Sequence, residues 1–224
     1  MDLSKNRKII ATNDGSHTLL VPVLNEQYHS IHGAIKEAEH VFLKMGLDEF
    51  LRSERVSVNV FEVGFGTGLN ALLSAQWATS KQKKLAYTSI EKFPVSKIEF
   101  QQLNYGDILH GSELYTKITD AKWGDFTTVS NVFSLRKLNL DLLKDTLPTG
   151  FDVVFFDAFA PNKQPELWNT LVFEKIYGIM SENSLMVTYS CQGQAKRNMI
   201  SAGFEVEKVP GPPGKREMLR ARKL

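Results

Sequence analysis

This sequence has very little cysteine and no long apolar run. Cys191 is its single cysteine, which excludes an intramolecular disulfide and a zinc site made of cysteines alone, and favours a reducing compartment. No apolar run approaches the roughly 20 residues that cross a membrane, and the N-terminal sequence MDLSKNRKII has no signal-peptide core. We therefore expect a cytoplasmic protein with no membrane partner.

An excess of charge of one sign is also missing. The chain has 27 Lys and Arg against 25 Asp and Glu, a net charge of +2. This balance neither demands nor excludes a nucleic-acid partner, because local patches decide binding. With 224 residues and 42% hydrophobic content, the chain can form one α/β domain with a complete core. We expect residues 1–50 to be a capping segment of the same domain and residues 51–224 to be its core.

The stretch VNVFEVGFGTGLN, residues 58–70, is the most informative part of the sequence. An apolar run with β-branched residues predicts a buried parallel strand, three glycines follow, and residues 69–75 predict a helix. The third glycine comes two residues after the second, so this is not the G-x-G-x-x-G dinucleotide fingerprint, and the P-loop lysine is absent. Glu62 precedes the first glycine, and E-x-G-x-G-x-G resembles the first motif of class I S-adenosylmethionine-dependent methyltransferases.

Two further predicted strands are each followed by an acid. The strand at 85–90 is followed by Glu91, and the run 151–156 is followed by Asp157. In open α/β sheets ligands bind at the carboxyl ends of strands, and an acid after the second strand can bind both ribose hydroxyls. We predict that Glu91 holds a ribose and that Asp157 lies where the chemistry occurs. A surface acid and a loop-capping acid are the plainer alternatives.

The remaining segments complete an alternating α/β pattern. Periodicity at 34–43 predicts a helix that covers the sheet; in a functional alternative, Tyr28, His29, Glu37 and His40 face the cofactor or substrate. The other predicted elements are helices at 95–104 (with Pro94 in the first turn), 138–143, 162–180 and 194–200, and strands at 18–23, 131–135, 184–190, 204–209 and 217–222, the last antiparallel. Within residues 105–126 we assign no helix or strand, and we expect Tyr105, Trp123 and Phe126 to pack on the sheet edge.

Positive charge is concentrated near the C-terminal end. The cations there are Lys208, Lys215, Arg216, Arg220, Arg222 and Lys223. They form either a solvated basic tail or a patch that contacts phosphates. Lys215 and Arg216 follow a Gly-Pro-Pro-Gly turn, which should hold them on a stiff loop. We predict that these two residues and Lys163 bind the substrate.

Three stretches together resemble one family. FEVGFGTGLN, FFDAFAPNKQPELW and GPPGKREMLRA, with YHSIHGAIKEAEHVF upstream, are similar to the methyltransferase half of the MnmC enzymes over roughly residues 13–222. Those enzymes complete 5-methylaminomethyl-2-thiouridine at the wobble position of certain tRNAs and also carry an FAD-dependent oxidase domain. Because the sequence ends at Leu224, we expect no fused oxidase, as in the stand-alone form sometimes called MnmD.

The resemblance implies a fold, a cofactor and a partner. The fold is a Rossmann-like class I methyltransferase with a mostly parallel sheet, the methyl donor is S-adenosylmethionine, and the acceptor is the aminomethyl nitrogen in the anticodon arm of tRNA. Asp157 matches the family's proposed catalytic aspartate. The expected cofactor-binding residues are Glu62, Gly64, Phe65, Gly66, Thr67, Gly68, Asn70, Glu91 and Asp157. Asn139 and Asp141 are both candidates for the adenine contact.

The residues suit methyl transfer to an amine. A sulfonium methyl group needs an in-line nucleophile and good positioning, without a metal or a covalent intermediate. An alkyl amine with a pKa of about 10 is mostly protonated at neutral pH. The Asp157 carboxylate could orient the amine or receive its proton, and both roles stay open. The alternatives are a methyltransferase of small-molecule amines and a non-catalytic nucleotide-binding module.

Overall fold

The computed structural model describes residues 3, 6–51 and 56–224 of the chain. The strands are β1 Lys8–Ala11, β2 His17–Val21, β3 Glu26–Gln27, β4 Ser57–Val63, β5 Lys84–Ile90, β6 Thr127–Ser130, β7 Phe133–Leu138, β8 Phe151–Phe156, β9 Met180–Thr188, β10 Glu205–Pro210 and β11 Glu217–Lys223. The α-helices are α1 Ala34–Ala38, α2 Asp48–Phe50, α3 Leu69–Lys81, α4 Lys97–Gln101, α5 Tyr105–Ile108, α6 Ser112–Asp120, α7 Thr170–Ile179 and α8 Gly193–Ser201. A π-helical segment, Glu39–Leu47, joins α1 to α2. Within the described residues, no helix is both long enough and apolar enough to cross a membrane.

The central sheet has eight strands in the order β10-β11-β9-β8-β4-β5-β7-β6. The five strands from β9 to β7 are parallel to one another, while β11, β10 and β6 pair in antiparallel fashion. The chain runs outward from β4 in one direction to β5 and β7 and in the other to β8 and β9. This reversal opens a crevice at the carboxyl ends of the strands, which is where such sheets bind ligands. The predicted fold class, with its antiparallel C-terminal strand, is confirmed.

Each face of the sheet is covered by helices. The buried cluster on one face contains residues of α1, the π-helical segment and α3; the cluster on the other face contains residues of α7 and α8. Gly46 lets the π-helical segment approach the sheet closely, since a Cβ there would lie 3.1 Å from a methyl group of Val187. A sheet buried on both faces explains why residues 153–156 of β8 form a continuous apolar run.

The N-terminal segment forms a separate antiparallel sheet, β1-β2-β3. It is attached to the loops at the carboxyl edge of the central sheet. The backbone N–H of His17 donates to Asn104 Oδ1 at 2.8 Å, and the Arg7 guanidinium donates to the carbonyl of Pro94 at 3.2 Å. These bonds hold the segment beside the crevice. The division into a capping segment and a core at residue 50 stays a prediction.

Two predicted helix starts are wrong because side-chain caps lie elsewhere. Helix α4 begins at Lys97, not at residue 95, since Ser96 and Glu99 form a reciprocal capping box. Pro94 therefore precedes the helix. Helix α7 begins at Thr170, because Asn169 Oδ1 accepts from the Val172 N–H at 3.0 Å. The residues before it form only a short 3₁₀ turn, Pro165–Leu167.

The region around residue 140 also differs from expectation. The strand predicted at 131–135 runs instead from Phe133 to Leu138, and the helix predicted at 138–143 is absent from this described segment. Asp141 Oδ1 accepts from the Leu143 N–H at 3.0 Å, and Asp145 Oδ2 accepts from the Asp141 N–H at 2.7 Å. These side chains offer the backbone an alternative to helical hydrogen bonds. Residues 105–126, to which the sequence analysis assigns no helix or strand, contain helices α5 and α6.

Candidate active site

The glycine turn between β4 and α3 is a backbone cradle. Gly64, Gly66 and Gly68 have φ angles of +91°, +50° and +73°, a region that L side chains rarely adopt. A Cβ on Gly64 would lie 2.8 Å from the carbonyl oxygen of Asp157, and a Cβ on Gly66 would lie 2.9 Å from the Tyr28 ring. The turn therefore needs glycine for its conformation. Gly64 and Gly66 also leave no room for a side chain, because Asp157, after β8, and Tyr28 lie so close to them.

Glu91 is bound to this turn. Its Oε2 accepts from the Gly66 N–H at 3.1 Å, and its Oε1 accepts from the Phe93 N–H at 2.8 Å. The carboxylate thus joins the end of β5 to the glycine turn and lines the same cavity. This placement suits the predicted ribose contact, which stays a prediction.

Of the expected cofactor residues, Glu62 and Gly68 lie outside the cavity lining. Glu62 is fully buried beneath the turn, and its Oε2 accepts from Ser89 Oγ at 2.6 Å. Burial raises the pKa of this carboxyl to about 8, and the charge of Asp157 adds to the rise. Glu62 supports the turn from below, so the expected direct contact with a cofactor does not follow from its position.

Asp157 and Asn70 meet across the turn. Asn70 Nδ2 donates to Asp157 Oδ2 at 2.9 Å, which ties the start of α3 to the end of β8. Burial raises the pKa of Asp157 to about 7; the charge of Glu37 raises it further, while the Asn70 hydrogen bond and the charge of Lys215 oppose the rise. A carboxylate with a pKa near neutrality, in a cleft, is suited to proton transfer.

A cavity of about 690 Å³ connects these groups, a volume typical of ligand sites. The glycine turn, Glu91 and Asp157 line it from the central sheet, and the N-terminal segment supplies Tyr28, His29 and Glu37. Three of the four residues in the functional alternative for that segment therefore face the cavity. The fourth, His40, lies outside the lining and has Nε2 2.8 Å from the Pro210 carbonyl oxygen.

Tyr189 is a cavity-lining residue that the sequence analysis missed. Its hydroxyl donates at 2.8 Å to the carbonyl of Ala158, the residue that follows Asp157. An aromatic residue after a buried strand could have indicated it, because β9 ends beside β8 at the same edge of the sheet. Tyr28 and Phe159 add two rings in an edge-to-face contact with centroids 5.1 Å apart.

His29 is held neutral inside this wall. Its Nδ1 lies 3.0 Å from Thr18 Oγ1, and burial lowers the pKa of the imidazole to about 4. A histidine of this kind adds shape and hydrogen bonding to the cavity without adding charge at neutral pH.

The two candidates for the adenine contact are separated by the structure. Asp141 lines the cavity, and its Oδ2 lies 2.8 Å from the Lys92 ammonium. Asn139 lies outside the lining and donates from Nδ2 to the carbonyl of Glu91 at 2.7 Å. Of the two, Asp141 is placed to meet a ligand, while Asn139 fixes the loop that carries Glu91.

The predicted substrate-binding cations lie in three different settings. Lys163 lines the cavity and donates to the carbonyl oxygens of Leu24 and Asn25 at 3.0 and 3.1 Å. Lys215 lines it too and pairs with Glu37 at 2.7 Å. Arg216 is exposed outside the cavity lining. The structure therefore brings two of the three to the site.

The other C-terminal cations are mostly engaged within the protein. Lys208 pairs with Glu217, Lys223 with Glu182, and both Arg220 and Arg222 with Glu49 and Glu207. Their charges are balanced by these carboxylates. The broad phosphate-contact patch is therefore weaker than the sequence indicated.

The chemistry of the cavity fits S-adenosylmethionine. The positive-φ glycines leave backbone exposed where side chains would project, and Glu91 and Asp141 follow β5 and β7. Two buried polar atoms of cavity residues, Thr67 Oγ1 and Asn70 Oδ1, have no hydrogen-bond partner within the described structure. Buried polar groups without partners carry a free-energy cost that a ligand can relieve. Phe65 adds an apolar wall beside them.

Comparison with known proteins agrees with this assignment. Residues 129–224 match a family model described as S-adenosyl-L-methionine-dependent methyltransferase. The chain is 33% identical, over 95% of its length, to the tRNA 5-methylaminomethyl-2-thiouridine biosynthesis bifunctional protein MnmC of Cupriavidus metallidurans, and 31% identical over 94% to that of Burkholderia mallei. The crystal structure of MNMC2 from Aquifex aeolicus superposes with a TM-score of 0.73 at 26% identity, covering 97% of this chain and 70% of the other.

Over nearly its whole length the chain is similar to MnmC proteins, and its C-terminal part matches the S-adenosyl-L-methionine-dependent methyltransferase model. It covers 33% and 34% of the lengths of those two MnmC proteins, so it spans about a third of these curated relatives. S-adenosylmethionine is accordingly the cofactor. The individual contacts of Glu62, Gly64, Phe65, Gly66, Thr67, Gly68, Asn70, Glu91 and Asp157 with it stay predictions.

Proposed function

We propose that the protein transfers a methyl group to the aminomethyl nitrogen of 5-aminomethyl-2-thiouridine at the wobble position of tRNA, in the cytoplasm. The observation that carries this proposal is the meeting of the glycine turn and the Asp157 carboxylate in one cavity. The similarity to MnmC proteins of tRNA 5-methylaminomethyl-2-thiouridine biosynthesis supports the choice of this tRNA nucleoside. The cofactor supplies an electrophilic methyl group on a sulfonium, and the protein's residues must bring a neutral amine to it.

Asp157 is proposed to hold the amine. Asn70 fixes one carboxylate oxygen at 2.9 Å, so the other can accept a hydrogen bond from the acceptor nitrogen. Because the pKa of Asp157 is raised to about 7, its carboxylate form is substantial at neutral pH and can take a proton from the ammonium, directly or by way of water. Orientation and proton acceptance are therefore compatible roles of the same group.

The aromatic side chains are proposed to hold the base. RNA-binding proteins commonly take a single-stranded base out of its stack and place it against aromatic rings. Tyr28, Phe159 and Tyr189 line the cavity around Asp157. A wobble uridine turned out of the anticodon loop could stack there, with its aminomethyl group directed at Asp157. The exposed Arg216, outside the cavity, is available for the phosphates.

One observation favours a second candidate, a small-molecule amine as the acceptor. Five of the six C-terminal cations are paired with carboxylates, which reduces the positive surface available to RNA. A small amine would need no such surface. The two candidates differ in their response to salt, because neutralising phosphates makes RNA affinity fall as salt rises.

The test is methyl transfer from labelled S-adenosylmethionine to tRNA that carries 5-aminomethyl-2-thiouridine. The free aminomethyl nucleoside and tRNA without the aminomethyl group are the controls. We expect labelled methyl groups in the aminomethyl tRNA alone. At limiting enzyme concentration, the amount transferred should fall as the salt concentration rises. Equal transfer to the free nucleoside would favour the small-molecule alternative. Cofactor binding without transfer to any of the three would contradict both.

A further inference from the structure

The acceptor side of the cavity contains an ion pair that has no role in the methyl transfer described above. Lys215, on the loop between β10 and β11, places its ammonium 2.7 Å from Glu37 Oε1. The other oxygen of Glu37 accepts from the Ser30 N–H at 2.8 Å. Glu37 is thus satisfied on both oxygens inside the cavity wall that also contains Asp157.

The Lys215 ammonium has a second partner. It lies 4.2 Å from the centroid of the Tyr189 ring, within the range of a cation–π interaction. Tyr189 is in turn bonded to the carbonyl of Ala158, the residue after Asp157. The ion pair is therefore connected to the loop that carries Asp157 from one side and to α1 from the other.

The loop that carries Lys215 is tightly apposed to the N-terminal segment. A Cβ on Gly214 would lie 2.7 Å from the His32 ring, and the His40 Nε2 lies 2.8 Å from the Pro210 carbonyl oxygen. These two contacts, both before Lys215 in the chain, hold the loop in place, and the ion pair with Glu37 holds the ammonium itself before a substrate arrives. A charge that is already in position acts without the cost of reorganisation.

The charges in this wall bear on the form in which an amine binds. The amine must lose its proton before it can attack, and each carboxylate close to it favours the ammonium form. Glu37 and Asp157 together would strengthen that unreactive form. A fixed ammonium beside them does the opposite, because it cancels Glu37 and disfavours a second positive charge nearby.

We propose, resting on the proposed function, that the Glu37–Lys215 pair is a positioning element for the acceptor amine: it neutralises Glu37 and leaves the Asp157 carboxylate to meet the amine. The groups that face the pair are Asp157 after β8, Tyr189 after β9 and Ser30 before α1. The other ionisable residues of this part of the lining are Glu26, Tyr28, His29, His32, Lys163 and Glu166. Glu91 and the Lys92–Asp141 pair line the cavity from the loops after β5 and β7.

A purely mechanical role for the pair makes a different prediction. If Glu37 and Lys215 only join the N-terminal segment to the β10–β11 loop, removing either one lowers the melting temperature and leaves the pKa of Asp157 unchanged. If the pair sets the charge balance, the two single changes act on Asp157 in opposite directions. Lys215→Met leaves Glu37 uncompensated, and Glu37→Gln leaves Lys215 uncompensated.

The experiment is a carbon-13 NMR titration of aspartate carboxyl groups in the whole chain, with the Asp157 signal assigned from Asp157→Asn. No RNA or cofactor is needed. We expect the pKa of Asp157 to rise by about one in Lys215→Met and to fall by a similar amount in Glu37→Gln. The double variant, which removes both charges, should return close to the wild-type value. Lys215→Arg, which keeps the charge, is the matched control and should titrate like the wild type.

The same variants then enter the methyl-transfer assay at several pH values. We expect Lys215→Met to need a higher pH than the wild type to reach its maximal rate, and Glu37→Gln a lower one. An Asp157 titration that is unchanged in both single variants, or that moves in the same direction in both, would overturn the proposal. If the titrations move as expected but tRNA receives no methyl group, the charge balance stands and the proposed RNA substrate is wrong.

Discussion

The two ends of the cavity are built in different ways. At the cofactor end, the glycine turn binds the next strand end through Glu91, which accepts from the Gly66 N–H at 3.1 Å. At the acceptor end, Asp157 is surrounded by side chains from opposite ends of the chain, with Glu37 and Lys215 178 residues apart in sequence. The first is a backbone structure with little freedom. The second is an arrangement of charges that can be altered one side chain at a time.

This difference leads to a separation of effects. Changes at the cofactor end should alter cofactor affinity, because that end supplies a fixed shape and hydrogen bonds. Changes at the acceptor end should alter turnover and its pH dependence, because that end supplies charge. The following changes test the separation, from the largest expected effect to the smallest.

Asp157→Ala should have the largest effect on turnover. We expect the rate of methyl transfer to fall by about 10² to 10⁴, the usual contribution of a positioned acid or base, while calorimetry shows a much smaller change in affinity for S-adenosylmethionine. In the wild type, the pKa of Asp157 of about 7 means that its carboxylate form grows as pH rises through neutrality. The rate should therefore increase with pH in that range. Wild-type turnover by the alanine variant would make Asp157 structural.

Gly64→Ala should damage the cofactor end. It combines a φ of +91° with a Cβ only 2.8 Å from the carbonyl oxygen of Asp157. Gly150→Ala is a matched control, since Gly150 has a φ of +90° and nothing within 4 Å of the added Cβ. Thermal and denaturant unfolding should show a loss of about 1–3 kcal/mol for the backbone strain in both variants. The additional loss of stability and of cofactor affinity should occur in Gly64→Ala alone; equal behaviour of the two would show that closeness to Asp157 is unimportant.

Glu62→Gln tests whether the buried acid supports the turn in its neutral form. Burial raises the pKa of Glu62 from its ordinary 4.5 to about 8. Between these values the folded state binds a proton that the unfolded state lacks, so the free energy of unfolding should fall as pH rises through this window. The glutamine variant should lose less stability between pH 5 and pH 8, by melting temperature, than the wild type. Glu182 is exposed, so Glu182→Gln is the control, and its melting temperature should change with pH as in the wild type. A wild-type pH dependence in Glu62→Gln would contradict the assignment.

Arg216→Ala should have the smallest effect, confined to RNA. Arg216 is exposed outside the cavity lining. If it contacts one phosphate, its loss should reduce the slope of log affinity against log salt by about 0.7–0.9, without changing cofactor affinity. Lys117→Ala is the control, since Lys117 pairs with Glu113 within α6 at 2.8 Å. An unchanged slope in Arg216→Ala would remove this residue from the RNA surface.

The sequence predicted the cofactor end better than the acceptor end for a physical reason. The glycine turn lies within one short stretch, and Glu91 follows the next strand, so local patterns and strand order are enough to place them together. Tyr189 was missed because the strand predicted at 184–190 includes it, whereas β9 ends at Thr188 and leaves Tyr189 at the sheet edge beside β8. The pairing of Lys215 with Glu37 depends on contacts between the N-terminal segment and the last hairpin, which leave no local signal.

Local chemistry also decided where helices failed to appear. The 138–143 segment has helix-forming leucines, but Asp141 and Asp145 bind backbone N–H groups there and hold a turn. For the C-terminal cations the sequence leaves a solvated tail and a phosphate-contact patch as alternatives, since it does not show that Glu49 and Glu207 lie opposite Arg220 and Arg222. A sequence gives the number of charged residues, whereas the fold determines which of them form ion pairs.

The separation of the two ends is tested most directly by single-turnover methyl transfer at saturating S-adenosylmethionine, comparing Glu91→Gln with Asp157→Asn. Glu91 accepts from the Gly66 N–H of the glycine turn, and Asp157 lines the part of the cavity where the acceptor is proposed to bind. We expect the Glu91 variant to recover most of the wild-type rate once cofactor saturates the site, and the Asp157 variant to stay slow at every cofactor concentration. Equal recovery of both variants, or equal failure of both, would contradict the account.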